Sequence, residues 1–393
     1  MTATTALRKS VMIHHLARTR GDATEHYLTA IPAPGTASRG VFGELAAILR
    51  QHGAYLLHER IFHQTEALEP LAAARRTAYG NLDDGVEPTW LGSPEGRGGL
   101  LAAVQVHAVS GIPAPEVLPG NIRVLRHPAG GVATISALRA PGAADPAEEC
   151  RQVYERTAAA FATLGVDWRQ LARTWLWLDP IYTWYADLNR IRNGRFRQHG
   201  LIAEDGRGLH LPASTGIGLH PEGAAFALEA MIALNDPKPG SLAGRPGGAQ
   251  GLEAMIALND PKPSTLAVAG NQRSALGYGS AFSRAASLET PSGPTWYVSG
   301  TAAIDTEGRT VAEGDIVRQV ALTIDNVKAV LRDCGTDPTA IVQGVAYCLS
   351  PAVAAEWRRQ DPGWPLAEVQ ADICRSNLLF EIELAACPGA RRR

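Results

Sequence analysis

Cys374-Arg375-Ser376-Asn377-Leu378-Leu379-Phe380-Glu381-Ile382-Glu383-Leu384-Ala385-Ala386 reads as a largely buried strand with a Cys-Arg pair at its entrance. Strand alternation puts Leu379, Glu381 and Glu383 on one face and Phe380 and Ile382 on the other. An acid among apolar neighbours is costly to ionise, so burial raises its pKa and favours a proton donor. The same alternation also suits an edge-strand acid that faces water. Upstream, Tyr297-Val-Ser-Gly300-Thr-Ala-Ala-Ile304 and Tyr278-Gly-Ser-Ala-Phe-Ser-Arg284-Ala285 read as strands able to line the same pocket.

The chain has 393 residues, which favours two or three modules over one. A formal net charge of −2 leaves no basic footprint for nucleic acid or an anionic membrane. No apolar run reaches the roughly 18–20 residues that span a bilayer. The opening MTATTALRKSVMIHHLARTRG lacks a continuous apolar core and a small-residue cleavage site, so it reads as an N-terminal extension, His14 and His15 included, rather than a secretory signal. The five cysteines are scattered, with no Cys-x-x-Cys or Cys/His cluster, which argues against zinc and a disulfide framework and for a reducing cytoplasm.

Working outward, one local grammar recurs three times: amphipathic helix, Gly stop, apolar strand, second helix. In the middle copy Asp145-Pro146-Ala-Glu148 is a helix start, Val153, Thr157, Ala160, Phe161 and Leu164 form its inward face, and Gly165 ends it. LARTWLWL (171–178) follows as strand and YTWYADLNRIRNGRF (182–196) as helix. The last copy runs from Asp315 through Ile316, Val320, Ile324, Val327 and Leu331 to Gly335, then IVQGVAYCL (341–349) as strand. The first is fainter: Phe42, Leu45 and Leu49, Gly53, AYLLHERIF (54–62), a helix to about Tyr79, and GGLLAAVQVHAV (98–109) as a closing strand. The expected division is 1–35 flexible N-terminal extension, 36–115 degenerate first module, 116–235 middle module, 236–266 linker and 267–390 C-terminal catalytic module. LEAMIALNDPKP occurs twice, at 228–239 and 252–263, around a Gly/Pro-rich spacer. One copy suffices for the last strand of the middle module, so the other is expected in a loop between about 236 and 265 or at a sheet edge.

The three pieces that open this reading resemble the C-terminal half of the chorismatases, enzymes of the RidA/YjgF-like superfamily. The segment Trp175-Leu-Trp-Leu-Asp-Pro-Ile-Tyr-Thr-Trp-Tyr185-Ala-Asp-Leu-Asn-Arg-Ile-Arg192-Asn-Gly-Arg195-Phe resembles their middle module over most of its length. The likeness covers roughly residues 120–235 and 270–388, while NQRSALG before Tyr278 is shorter than the family's usual approach to that Tyr-Gly pair. It implies an α+β fold of repeated RidA-like (chorismate-mutase-like) modules. RidA-like proteins are typically trimers with sites between subunits, so three copies in one chain imply a pseudo-trimer, sufficient as a monomer or further assembled as a homo-oligomer.

The implied activity is cleavage of the enolpyruvyl ether of chorismate to pyruvate plus a dihydroxycyclohexadiene carboxylate or a hydroxybenzoate, without metal or organic cofactor. Glu381 matches the family's acid in the same Cys-Arg-x-x-Leu-Leu-x-Glu-Ile-Glu setting. Chorismate is a dianion, and arginine forks suit carboxylates. Arg284, in Phe-Ser-Arg-Ala, is the first candidate and Arg375 the second. Arg192 and Arg195, three apart on one helical face, add two more, although the same spacing suits a solvated basic face. Tyr278 and Tyr185 are candidates to orient a carboxylate or hydroxyl, or else packing aromatics. The resemblance makes Cys374 and Ala285 shapers of product choice; by itself a buried cysteine is more often a small hydrophobe. LPASTGIG (211–218) reads as a Gly-rich turn whose N–H groups approach a ligand. Two other readings stay open: RidA-like hydrolysis of enamines or imines, and non-catalytic binding of a small carboxylate metabolite.

Overall fold

The structure, a computed structural model, describes residues 10–33, 35–64, 68–93, 101–234, 272 and 275–393, with the side chain of Tyr278 outside this set. The first module comprises β1 (Val11–Arg20), β2 (Ala23–Pro32), α1 (Ser38–His52), β3 (Tyr55–Gln64), α2 (Leu68–Tyr79), β4 (Thr89–Ser93) and β5 (Leu101–Ser110). The second comprises β6 (Glu116–Leu118), β7 (Ile122–Leu125), β8 (Val132–Arg139), α3 (Pro146–Leu164), β9 (Leu171–Leu178), α4 (Ile181–Gln198), β10 (Ala213–Gly218), β11 (His220–Pro221) and β12 (Phe226–Ala233). The third comprises β13 (Ala285–Thr290), β14 (Gly293–Ala302), α5 (Ile316–Asp333), β15 (Ile341–Cys348), α6 (Pro351–Gln360), β16 (Leu366–Gln370), β17 (Asp372–Ile373), β18 (Phe380–Ala386) and β19 (Arg391–Arg392).

Local chemistry fixes the helices where the pattern places them. Asp145 caps α3 by accepting from the Glu148 N–H at 2.8 Å, Pro146 presets the first turn, and Gly165 closes the helix at φ 65°. Asp315 caps α5 in the same way, through the Arg318 N–H. Each cap is worth about 1 kcal/mol, so burial of the apolar face does most of the stabilising.

The three modules share one topology. In each, an antiparallel hairpin leads into a helix, a third strand, a second helix and a fourth strand parallel to the third. The last strand then inserts between the second and third. The strand orders are β4-β3-β5-β2-β1, β10-β9-β12-β8-β7 and β16-β15-β18-β14-β13. Helices cover the outer faces, and the inner faces meet in one core: Tyr27 and Phe62 from the first module, Trp175 and Trp177 from the second, Tyr297 and Tyr347 from the third. The fourth strand of each module packs on the second strand of the next, β4 on β8, β10 on β14 and β16 on β2. This is the repeated-module α+β architecture that the sequence predicts, closed on itself as a pseudo-trimer.

Several boundaries differ from the sequence reading. Within 1–35, Val11–Pro32 is no extension: β1 and β2 pair over ten residues each, from Val11↔Pro32 to Arg20↔Ala23, as the opening hairpin of the first module. Several of its buried side chains are polar, Glu25, His26 and Thr29 among Tyr27, Leu28 and Ala30, which hides the strand periodicity. LPASTGIG contributes strand β10, parallel to β9, rather than a turn. Gly218 serves close packing: a side chain there would come within 2.6 Å of the Asp372 Cβ. Tyr278–Ala285 is not a strand either; Ala275–Tyr278 is a 3-10 turn, Gly279 adopts φ 95°, and β13 begins only at Ala285. The first copy of the duplicated segment supplies β12. The second copy, and the loop expected at 236–265, lie outside the described residues. All five cysteines are free thiols, and among the described residues no helix is long and apolar enough to cross a membrane.

Candidate active site

A cavity of about 490 Å³ opens where the second module meets the third. Helix α4 supplies Tyr185, Asn189 and Arg192, strand β10 supplies Ser214, Thr215 and Gly216, and the 279–284 loop supplies Phe282 and Arg284. Gly300 and Ala302 of β14, Cys374, Arg375 and Glu381 close the far side. The volume is within the range of small-molecule sites.

Glu381 sits at its base because β18 is paired on both sides, with Tyr347 on β15 and Ala302 on β14. The alternation holds within β18: Phe380, Ile382 and Leu384 pack into the α5-side core and the carboxyls of Glu381 and Glu383 project the other way. Leu379, just before the strand, packs on the α5 side rather than sharing the glutamates' face. Glu381 is 5% exposed, and a methyl placed on Gly300 would overlap its Oε1, so the carboxyl rests against bare backbone. Burial pushes its pKa up to about 8; the Glu383 charge adds to the rise, and Arg284, Arg173 and Arg375 oppose it. At neutral pH Glu381 is therefore mainly a protonated acid.

The cavity's other charged side chains are arginines. Arg192 and Arg284 flank the Phe282 ring, their Cζ atoms 6.0 and 5.4 Å from its centroid. Arg192 is buried, donates to Asn189 Oδ1, and leaves its Nε without a hydrogen-bond partner. Arg375 donates to the Gly308 carbonyl at 2.7 Å from the rim, and Arg190 is exposed and paired with Asp187 at 2.6 Å. Burial, with Glu381 nearby, pushes the Cys374 thiol up to about 12, against the opposing effects of Arg375 and the neighbouring Tyr185 hydroxyl. Cys374 is thus a neutral, space-filling wall.

Two candidates lie elsewhere. Arg195, nearly one turn beyond Arg192, pairs with Glu155 of α3 at 3.0 Å and does not line the cavity. Ala285 points into the core with Val298 and Val320, one residue past the point where the chain leaves the cavity wall. The Tyr278 side chain lies outside the described residues.

No family model matches this chain, and no curated protein matches it. Among solved structures, a chorismatase matches with 21% identity over 72% of this chain and 82% of its own, at a TM-score of 0.52. The fold is that of a chorismatase. Shorter matches are a putative endoribonuclease from Thermotoga maritima (24% identity, 30% of this chain and 92% of its own, TM-score 0.25) and the YjgF gene product of E. coli (19%, 32% and 98%, 0.25).

Within this chorismatase fold the three modules are not equivalent at the key position. Tyr347 faces Glu381 across the ladder, while its counterparts Trp177 and Phe62 face Ala227 and Ala103. Only the third module therefore places an acid there. Two residues on, all three last strands carry a polar residue: Glu383, Glu229 and Gln105. Glu383 accepts from Arg60 Nη1 at 2.7 Å, from Arg173, from Trp175 Nε1 at 2.5 Å and from Tyr347 at 3.1 Å, so one carboxylate ties all three modules together. Burial works against that charge, but Arg60 and Arg173 outweigh it and hold Glu383 below the ordinary glutamate value.

Sequence reasoning singled out the stretches that carry Asn189, Ser214, Thr215 and Gly300 but gave none of these small neutral residues a role of its own. Their role is visible only as bonding: Ser280 Oγ reaches Asn189 at 3.1 Å and Asn193 Nδ2 reaches the Gly279 carbonyl at 2.8 Å, stitching α4 to the 279–284 loop.

Proposed function

We propose that this protein cleaves the enolpyruvyl ether of chorismate, releasing pyruvate and a dihydroxycyclohexadiene carboxylate or a hydroxybenzoate. The observation that carries the reading is Glu381, a carboxyl held protonated near neutrality at the base of a cavity whose other charged groups are arginines. Glu381 donates its proton to the methylene carbon of the enol ether. The carbon–carbon π pair forms the new C–H bond, and the positive charge develops on the ether carbon and oxygen. The resulting glutamate carboxylate lies beside that charge and stabilises it. Water adding to the cation returns a proton to Glu381 and gives a hemiketal, which collapses to pyruvate and the dihydroxycyclohexadiene carboxylate. Addition of the ring hydroxyl returns its proton in the same way and gives a cyclic ketal. Loss of a ring C–H proton then forms the aromatic π bond as one ring C–O bond breaks; that oxygen leaves as the pyruvate carbonyl, and the other stays on the hydroxybenzoate and takes up a proton.

Arg284, whose charge acts on Glu381 more strongly than the other arginines' charges, pairs with one substrate carboxylate together with Arg192, and Arg375 pairs with the other from the rim. Tyr185 orients the ring hydroxyls, and Cys374 sets the shape of the wall against the ring. The test is to mix purified protein with chorismate and follow its absorbance and pyruvate release. Substoichiometric protein consuming all the chorismate is the expected result; unchanged chorismate removes the proposal.

Gly300→Ala supplies a geometric check. Its methyl displaces the Glu381 carboxyl, so kcat is expected to fall about 100-fold while the arginine contacts, and hence KM, change little. Wild-type kcat in that variant contradicts the assignment of Glu381 to the reacting carbon.

A further inference from the structure

We propose that Thr215 is a positioning residue, the middle of a relay Glu383–Arg173–Thr215–Gly300 that carries the order of the axial ion cluster to the Glu381 carboxyl. The inference rests on the proposed proton donation by Glu381 and extends it to a cavity-wall residue whose hydroxyl is engaged by Arg173 and Gly300. Two contacts converge on one hydroxyl. Arg173 Nη2 donates to Thr215 Oγ1 at 2.6 Å, and the Gly300 N–H donates to the same atom at 3.0 Å. Two acceptor sites are the full accepting capacity of a threonine oxygen, so both are taken by these donors.

Its two ends explain its importance. Arg173 is 1% exposed and bound to Glu383, which also holds Arg60 of the first module and Tyr347 of the third. Thr215 belongs to β10 of the second module, whereas Gly300 belongs to β14 of the third, and the Glu381 carboxyl lies directly against Gly300. The relay thus fixes the intermodule spacing at the place where the acid must meet carbon. Displacements near 1 Å in such a site cost about 100-fold in rate. In the other two clefts, where alanine replaces the acid, there is no carboxyl to position.

The groups facing Glu381 are Arg284 from the loop before β13, Arg375 and Cys374 from the β17–β18 connection, Tyr185 from α4, Arg173 from β9 and Glu383 from its own strand. The experiment is a carboxyl-carbon NMR titration of protein labelled at glutamate, with parallel chorismate kinetics, for wild type, Thr215→Val and Thr215→Ser. Wild-type Glu381 is expected to titrate at about 8. In Thr215→Val, the freed Gly300 segment lets the carboxyl hydrate, so its midpoint falls; kcat drops about 10- to 100-fold and KM shifts less than about twofold. Thr215→Ser retains the hydroxyl and both wild-type values. A valine variant with wild-type midpoint and kcat overturns the relay. Thr215→Ala repeats the test if the valine variant does not fold. If wild type leaves chorismate untouched while the valine midpoint still falls, the relay stands and the proposed reaction falls.

Discussion

Glu381→Gln is expected to reduce pyruvate release by about 100- to 10,000-fold, the range of a positioned general acid. Glutamine keeps the shape and the packing against Gly300 but cannot yield a proton to carbon. The same substitution carries an opposite expectation for stability. In the folded protein Glu381 titrates at about 8, and in the unfolded chain it titrates near 4.5. Between these values the native state holds a proton that the unfolded chain has lost, so stability falls as pH rises across that window. Above it the whole penalty is present, on the order of 3–5 kcal/mol. Glutamine carries no such penalty. Denaturant unfolding should therefore show the inactive variant more stable than wild type at pH 9, with the gap closing toward pH 4. An active glutamine variant, or a gap independent of pH, contradicts the role given to this carboxyl.

Glu383→Leu should fail in a different way, by unfolding. Its carboxylate is buried and answers two buried guanidinium groups, Arg60 and Arg173, together with Trp175 and Tyr347. Leucine removes the acceptor and leaves both cations without their counter-charge, a loss of about 3–5 kcal/mol by the usual cost of breaking a buried pair. Because the partners come from all three modules, the loss should lower the urea midpoint of one cooperative transition rather than detach a single module. A midpoint within error of wild type contradicts the axial clamp.

Where sequence period and burial agree, the fold was legible. Asp145 to Gly165 declared α3, LARTWLWL declared β9, and the alternation around Glu381 declared which side chains of β18 share a face. The hairpin of β1 and β2 escaped because a repeated-module core is not uniformly apolar. Glu25 is buried against His107, Thr290 and Ser292, and His26 against His15 and Ser110, so buried positions look like surface ones. The candidate site divides along similar lines. Glu381, Arg284, Arg375, Arg192, Tyr185 and Cys374 converge on one cavity. Arg195 is drawn to Glu155 of α3, nearly a turn beyond Arg192, and Ala285 lies one residue past the loop, offsets below the precision of pattern. Thr215 and Gly300 belong to different modules and meet only because β10 packs on β14, a contact no local window contains.

The central claim is that a neutral Glu381 gives its proton to the enol ether. The pH dependence of kcat/KM for chorismate tests it most directly, read as pyruvate release by wild type. Raised by burial, the acid is protonated below about 8 and spent above it. The account predicts that activity falls tenfold per pH unit on the alkaline side of that value and that the Glu381→Gln variant shows no such limb. Activity that rises through pH 8, or an identical profile in the glutamine variant, contradicts it.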